Sequence, residues 1–226
     1  MTNTFFDIET IPEQPEEEAK ARIAETIQAP AAMKKPETIE EWHHGRGKYA
    51  GVKEAAIEKA YRDTSFDAAK GQICSIAFAV GDNPVMSMST DKGCDHDLVK
   101  LFFEALVSQL KDRPPFFIGH YVGGFDLKFL FRRAVILGIK PPFNLPFDGR
   151  HGQHFYDTSQ AWCGFKDRIS QDNLCKALGI EGKPSDIDGS KVWDAYKAGG
   201  IGRIEEYNRD DVTKNRMIYK RLNFIK

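Results

Sequence analysis

The sequence lacks any run of about 20 apolar residues, the length that a membrane-spanning helix requires. Its first residues, MTNTFFDIET, lack the basic start and the apolar stretch of a secretory signal. Cysteines are few: Cys74, Cys94, Cys163 and Cys175 form no CxxC pair and no zinc-type spacing with His. We therefore expect reduced thiols, a cytoplasmic location and no association with a membrane.

An excess of positive charge is also missing, because 32 Lys and Arg residues face 33 Asp and Glu residues, for a formal net charge of -1. This balance excludes a globally basic mode of nucleic-acid binding, although it permits a local basic surface. The sequence contains no GxSxG and no GxxxxGK motif, so a serine hydrolase or a P-loop ATPase receives little support. What the chain does have is aromatic side chains, including 16 Phe, which argue against a largely disordered protein.

The order of the periodic segments predicts an α/β protein with a mixed sheet flanked by helices. Alternation with a period of two indicates strands at TNTFFDI, QICSIAFAV, PVMSMST, PFFIGH and HFYDT. Helical spacing indicates a helix at HDLVKLFFEALVSQLK, another from about Asp126 to Gly138, and mostly helix from about Gln171 onward. The length of 226 residues leads us to expect a single domain over residues 1–226.

Residues 13–70 separate the first strand from the second with charged, Ala-rich sequence. A structureless loop of this length is improbable inside a compact domain. We therefore predict a helical insert over 13–70 that contains about two helices and an irregular middle.

Two acidic residues, Asp7 and Glu9, lie two positions apart in the first strand, so both carboxylates project from one face. The Phe and Ile residues around them indicate a buried strand, and two acids on such a strand need a cation. Carboxylate oxygens are hard ligands that suit Mg²⁺ or Mn²⁺. The alternative is a solvent-facing strand edge without any ligand.

A third acidic residue, Asp211, lies in an otherwise apolar stripe of the last helix. A lone carboxylate there is costly unless it is paired or binds a metal. Tyr207 lies one turn earlier on the same face. The alternative is a helix whose Asp lies at the edge of the stripe.

Asp126 begins the central helix directly after the Gly123-Gly124 turn and Phe125. These glycines would allow the backbone to approach another element or a substrate closely. The alternative is that Asp126 only caps the helix, a role in which Asp is common.

The three motifs, FDIET, FD after a Gly-rich turn, and YNRDD, occur in an order that resembles the DEDD superfamily of 3′–5′ exonucleases in its tyrosine-containing branch. The chain is most similar to the proofreading exonuclease domains of family B DNA polymerases and their stand-alone and phage relatives. The first motif is Asp7-Ile8-Glu9, the second is Phe125-Asp126, and the third is Tyr207 with Asp211 four residues later. The resemblance covers residues 1–12 and 71–226.

Two positions depart from or refine this pattern. Many relatives carry Asn about four residues before the second-motif Asp, whereas this sequence has His120-Tyr121 nearby. This departure concerns substrate contact and leaves the carboxylates intact. No His lies just upstream of Asp211, which disfavours the histidine-containing branch.

The resemblance implies a ribonuclease H-like fold and a metal-dependent exonuclease that hydrolyses phosphodiester bonds from the 3′ end. The expected substrate is single-stranded nucleic acid, with DNA favoured, and the product is nucleoside 5′-monophosphate. The expected cofactors are two Mg²⁺ or Mn²⁺ ions, separated by about 3.5–4 Å. Asp7 would bridge both ions, Glu9 and Asp211 would complete one site, and Asp126 would hold the second. Tyr207 would orient the attacking water.

Substrate contacts are expected from side chains next to the motifs, namely Thr10, Ile11, Tyr121 and Phe125. A replication or repair protein is an expected partner besides the single-stranded 3′ end. The sequence does not separate this interpretation from an exoribonuclease in RNA processing, because a 2′-OH contact cannot be identified from it. A non-catalytic nucleic-acid-binding or partner-docking protein on the same fold is the other alternative.

The insert is expected to emerge beside the proposed metals, because its ends are fixed by the strand that carries Asp7 and Glu9 and by the next strand. Trp42, Arg46 and Lys48 are its expected contacts with a nucleic-acid strand or a protein partner. A solvated decoration is the alternative.

Overall fold

The computed structural model describes residues 1–182 and 187–225. Within them, the strands are β1 (Thr2–Ile11), β2 (Gln72–Val80), β3 (Met86–Ser89), β4 (Pro115–Gly119) and β5 (Phe155–Asp157). The α-helices in the same residues are α1 (Glu16–Thr26), α2 (Pro36–His43), α3 (Val52–Asp63), α4 (His96–Leu110), α5 (Asp126–Ile136), α6 (Thr158–Cys163), α7 (Gln171–Leu178), α8 (Val192–Lys197) and α9 (Ile201–Leu222). The predicted α/β class and each predicted strand are confirmed.

The strands form one mixed sheet in the order β3-β2-β1-β4-β5. β1 and β2 pair antiparallel, as do β2 and β3, whereas β4 pairs parallel with both β1 and β5. β1 is therefore central, and its register with β2 shifts between Glu9 and Thr10. In the described part of the chain, no helix has the length and apolar character needed to cross a membrane.

The two faces of β1 are covered by different helices, as its alternating sequence predicts. Phe6 packs against Phe102 of α4 in the larger hydrophobic core, which α5 also enters. Phe5 lies on the opposite face in a second core with Val212 of α9. Since Asp7 and Glu9 share the face of Phe5, the packing of α9 on the sheet brings the last helix to these acids.

The insert contains three α-helices, α1 to α3, where the sequence predicted about two. The additional helix, α2, begins with Pro36 at its first position, where the missing N–H costs nothing. α3 attaches the insert to α8, because Arg62 donates to both carboxylate oxygens of Asp194 at 2.6 and 3.0 Å. Trp42 is fully buried, so its predicted contact with a nucleic-acid strand or a partner is wrong.

Candidate metal centre and active site

Three carboxylates meet between β1 and α9. Asp7, Glu9 and Asp211 each offer an oxygen atom within 4.8 Å of the other two. Glu9 and Asp211 are largely buried, at 9% and 5% exposure, while Asp7 is partly exposed. The predicted apolar stripe of α9 explains the position of Asp211, since Ile204, Tyr207 and Ile218 are buried with it.

Neighbouring amides help to fix these acids. Asn208 of α9 donates to Asp7 Oδ2 at 3.4 Å. Gln171, the first residue of α7, donates to the backbone oxygen of Asp211 at 3.1 Å and to Asn215 Oδ1 at 2.9 Å. These bonds link β1, α7 and α9 around the carboxylates.

The fourth predicted acid, Asp126, reaches the same place from α5. Its Oδ1 accepts the Ile8 backbone N–H at 3.1 Å, so the carboxylate binds across to β1. Burial, together with the neighbouring carboxylates of Asp157 and Asp211, raises the pKa of Asp126 to about 7.

The four acids line one open cavity of about 350 Å³. Its wall consists of residues from β1, the turn before α5, α6, the segment before α7, and α9: Asp7, Ile8, Glu9, His120, Tyr121, Phe125, Asp126, Ser159, Arg168, Ile169, Ser170, Gln171 and Asp211. All predicted carboxylates are thus brought together, although they come from positions up to 204 residues apart in the chain, from Asp7 to Asp211.

The donor set fits a hard divalent cation. The clustered ligand atoms of Asp7, Glu9 and Asp211 are carboxylate oxygens, with no thiolate or imidazole in this trio. Such ligands suit Mg²⁺ or Mn²⁺ better than the softer Zn²⁺ or Cu⁺. Grouped carboxylates repel one another, and a bound cation would relieve that repulsion.

Most of the chain matches a known protein family. The model of a family described as "Predicted 3'-5' exonuclease related to the exonuclease domain of PolB" matches residues 68–226. The chain belongs to this family. The match includes Asp126, Tyr207 and Asp211, whereas Asp7, Glu9 and most of the insert precede it. A search of curated protein sequences found no match.

The fold of this PolB-related exonuclease family member is similar to that of a solved structure, the family B DNA polymerase from the hyperthermophilic archaeon Pyrobaculum calidifontis. The TM-score is 0.58 at 13% identity, over 99% of this chain and 24% of the polymerase chain. At this identity the likeness concerns the fold alone, and it confirms the predicted ribonuclease H-like fold. The chain spans about a quarter of the length of that polymerase.

Tyr207, the predicted water-orienting residue, is 3% exposed and hydrogen-bonds Asp211 through its side chain. Burial raises the pKa of the Tyr207 hydroxyl far above its ordinary value, and the negative charges of Asp211, Glu9 and Asp7 raise it further. The hydroxyl therefore stays protonated and acts as a hydrogen-bond donor rather than as a base.

The four predicted substrate contacts separate into two pairs. Tyr121 and Phe125 line the cavity. Ile11 is 1% exposed within a core that also contains Tyr61, so its assignment as a substrate contact is wrong. Thr10 points to the insert, where its hydroxyl donates to the backbone oxygen of Ser65 at 2.8 Å.

Sequence reasoning missed Arg168, a cation on the cavity wall. Its guanidinium lies 4.5 Å from the centre of the Tyr121 ring and donates to the Tyr121 hydroxyl at 2.8 Å. Tyr121 has a positive φ of 61°, and a Cβ at Gly124 would lie 2.4 Å from its ring. The Tyr121 ring therefore requires glycine at 124. The Gly123-Gly124 turn was the one sequence feature that predicted such a close approach.

Asp157, at the end of β5, was also missed. It is fully buried, and its Oδ1 accepts backbone N–H bonds from Tyr121 and Ser159 at 3.0 and 2.9 Å. This carboxylate fixes the turn that carries Tyr121 and adds negative charge beside Asp126. Its sequence signal is its position before the first turn of α6, where Asp is a favoured N-cap.

Proposed function

We propose that this protein is a metal-dependent 3′–5′ exonuclease that removes nucleoside 5′-monophosphates from single-stranded DNA. The observation that carries this proposal is the meeting of Asp7, Glu9 and Asp211 within 4.8 Å, in the same cavity as Asp126. Membership in a family of predicted 3′–5′ exonucleases supports the reaction. The family's relation to a polymerase exonuclease domain favours DNA over RNA.

In this proposal the carboxylates hold two Mg²⁺ or Mn²⁺ ions. Asp7, Glu9 and Asp211 would hold one ion, and Asp126 together with Asp7 would hold the other. Such ions, when bound, lower the pKa of water and neutralise the charge that develops on a phosphodiester during hydrolysis. The protein's own contribution is to hold the carboxylates in one place before the substrate arrives.

The other side chains position the strand and the nucleophile. The protonated Tyr207 hydroxyl donates its one hydrogen bond to Asp211. Its oxygen can accept a hydrogen bond from the attacking water and so orient it, which supports assignment to the tyrosine-containing branch. Phe125 and Tyr121 offer aromatic surface to the terminal base. Arg168 supplies a positive charge on the same wall, which suits a phosphate of the strand.

The biological setting is also a proposal. This exonuclease domain would act in the cytoplasm, on single-stranded 3′ ends. A replication or repair protein would be its partner.

The test is degradation of matched DNA and RNA single strands that carry either a 5′ or a 3′ label, in Mg²⁺, in Mn²⁺ and in EDTA. We expect the 3′ label on DNA to appear first as a mononucleotide, with no cleavage in EDTA. A 5′ label that is released first would overturn the polarity, and faster cleavage of RNA would favour the exoribonuclease. Binding without cleavage in either metal would favour the non-catalytic alternative.

A matched pair of variants excludes a contaminating nuclease. Asp211→Asn removes a proposed metal ligand of α9, whereas Glu206→Gln changes an exposed acid of the same helix that pairs with Arg203. We expect cleavage to be lost in the first variant and retained in the second. Equal cleavage by both would contradict the proposed site.

A further inference from the structure

Phe66, in the insert, is a large apolar side chain that is 68% exposed. Single exposed apolar residues are common, so exposure alone indicates no function. What points to a function is its position beside the cavity. The Phe66 ring lies edge-to-face against Phe125, with 6.2 Å between the ring centres, and Phe125 lines the cavity beside Asp7 and Asp126.

The backbone that carries Phe66 is firmly attached to the catalytic strand. Phe66 ends a 3-10 turn, Thr64–Phe66, in which Ser65 O accepts the Thr10 hydroxyl at 2.8 Å. The Thr64 hydroxyl accepts the Glu13 N–H at 3.0 Å and donates to the backbone oxygen of Tyr61 at 2.6 Å. The turn is therefore attached to β1 just after Glu9, so the backbone that carries Phe66 is already ordered before a ligand binds.

The chain also packs closely beneath this turn. A Cβ at Gly71 would lie 2.6 Å from Thr64 O and 2.9 Å from Ile11 O, both backbone atoms that cannot move aside cheaply. The position therefore requires glycine, because the end of the insert is pressed against the end of β1. This contact fixes where Phe66 stands relative to the carboxylates.

We infer that Phe66 extends the aromatic surface of Phe125 and stacks a nucleobase of the bound strand, on the 5′ side of the nucleotide that is removed. Aromatic rings stack bases of any sequence, because every base has a π-face. Phe125 lines the cavity and Phe66 lies beyond it, which assigns the terminal base to the first and the preceding base to the second. The inference rests on the proposed function for its substrate.

Phe66 lies outside the residues that the family model matches. The family match begins at residue 68, two residues after Phe66. The insert was expected to contact a nucleic-acid strand or a protein partner through Trp42, Arg46 and Lys48. Trp42 is buried, whereas Arg46 and Lys48 are exposed and stay a prediction.

The test compares Phe66→Ala with Phe66→Tyr, which keeps the ring, and with Leu101→Ala, which removes a side chain of α4 that is 55% exposed. Steady-state kinetics would be measured on a DNA single strand and on the same strand with an abasic site in place of the second base from the 3′ end. On the normal strand, we expect Phe66→Ala to lower kcat/KM by roughly 5- to 150-fold, mainly through KM, as for one lost stacking contact. Phe66→Tyr and Leu101→Ala should match the wild type.

The abasic strand separates stacking from a structural effect. If Phe66 stacks the second base, removing that base should lower wild-type kcat/KM to the level of Phe66→Ala and abolish the difference between them. Wild-type kinetics for Phe66→Ala on the normal strand would overturn the inference. A difference of the same size on both strands would overturn it as well, because the loss would not depend on the base.

The fluorescence of a bound strand tests base stacking independently of hydrolysis. A strand with 2-aminopurine as its second base should lose fluorescence when it binds the wild type, and lose less with Phe66→Ala at saturation. If the wild type hydrolyses no strand, the proposed function fails, while this signal still reports stacking. Equal quenching by both proteins would overturn the inference even if hydrolysis is confirmed.

Discussion

Asp95 and Asp126 are both almost fully buried carboxylates, at 1% and 4% exposure, yet their surroundings differ. Asp95 accepts two hydrogen bonds from the Arg133 guanidinium, at 2.7 and 2.8 Å, and one from the Ile73 N–H at 3.1 Å. Arg133 also donates to the Ala68 backbone oxygen at 3.1 Å. This ion pair joins the end of the insert, β2, α4 and α5.

Asp126 accepts a hydrogen bond from the Ile8 N–H, and the charges that raise its pKa are the carboxylates of Asp157 and Asp211. The comparison shows two ways of placing a negative charge inside a protein. A structural acid is matched by a cation of the protein itself. In the cavity, acids are grouped with one another, which lowers stability in the metal-free protein and creates a place for a cation from solution.

The largest expected effect is on turnover after loss of an acid of the cavity. Asp211→Asn keeps the shape of the side chain but removes one negative ligand, so we expect single-turnover cleavage of a DNA strand to fall by roughly 1000-fold or more. The far-UV circular dichroism spectrum should stay that of the wild type. Retention of more than about a tenth of the rate would exclude Asp211 from the metal site.

Loss of the cation from the Asp95–Arg133 ion pair should reduce the stability of the protein. Arg133→Met leaves Asp95 buried without its cation, which should reduce the free energy of unfolding by about 3–5 kcal/mol. Arg132→Met, at an exposed neighbouring position, should change it by less than about 0.5 kcal/mol. Urea unfolding in EDTA measures both, and equal values for the two variants would contradict the structural role of the pair.

Tyr207→Phe should have a smaller effect than Asp211→Asn. The ring keeps its packing and loses one hydrogen-bond donor, so we expect turnover to fall by roughly 10- to 1000-fold, or about 1.4–4 kcal/mol. Mn²⁺ affinity, from calorimetry, should change little. Cleavage at the wild-type rate would mean that Tyr207 is only a core residue.

The smallest expected effect is on the pH dependence of stability. The pKa of Asp126 in the folded state, about 7, lies above its ordinary value of 3.8. Between these values the folded protein binds a proton that the unfolded chain has released, so stability should fall as pH rises from about 4 to about 7. Asp126→Asn removes this loss and should be more stable than the wild type at pH 8, by about 1–3 kcal/mol. Parallel stability curves for both proteins, measured in EDTA, would contradict the raised pKa.

The sequence predicted correctly the features that depend on the local repeat of a strand or a helix. Alternation along β1 predicted that Asp7 and Glu9 share a face, and the stripe of α9 predicted a buried Asp211. Because these patterns have fixed geometry, they indicate the positions of all three acids without any tertiary contact. Gly138 likewise follows α5 with a φ of +70°, as its predicted place at the helix end requires.

The parts that could not be predicted depend on long-range contacts without a periodic pattern. Arg168 reaches Tyr121 across 47 residues, and Arg133 reaches Asp95 across 38. Ile11 follows the acids on β1 and was assigned to the substrate, but the insert and α9 cover it. Trp42 was expected to contact a nucleic-acid strand or a partner, yet it is the buried residue of α2.

The measurement that tests the central comparison most directly is thermal unfolding of the wild type and Asp211→Asn, each with EDTA and with saturating Mn²⁺. A cation that binds only the folded protein raises the melting temperature by mass action. We predict that Mn²⁺ raises the melting temperature of the wild type and has little effect on Asp211→Asn, although the variant is at least as stable in EDTA. An equal rise in the melting temperature of both proteins, or no rise in the wild type, would contradict the proposal that these grouped acids bind a divalent cation.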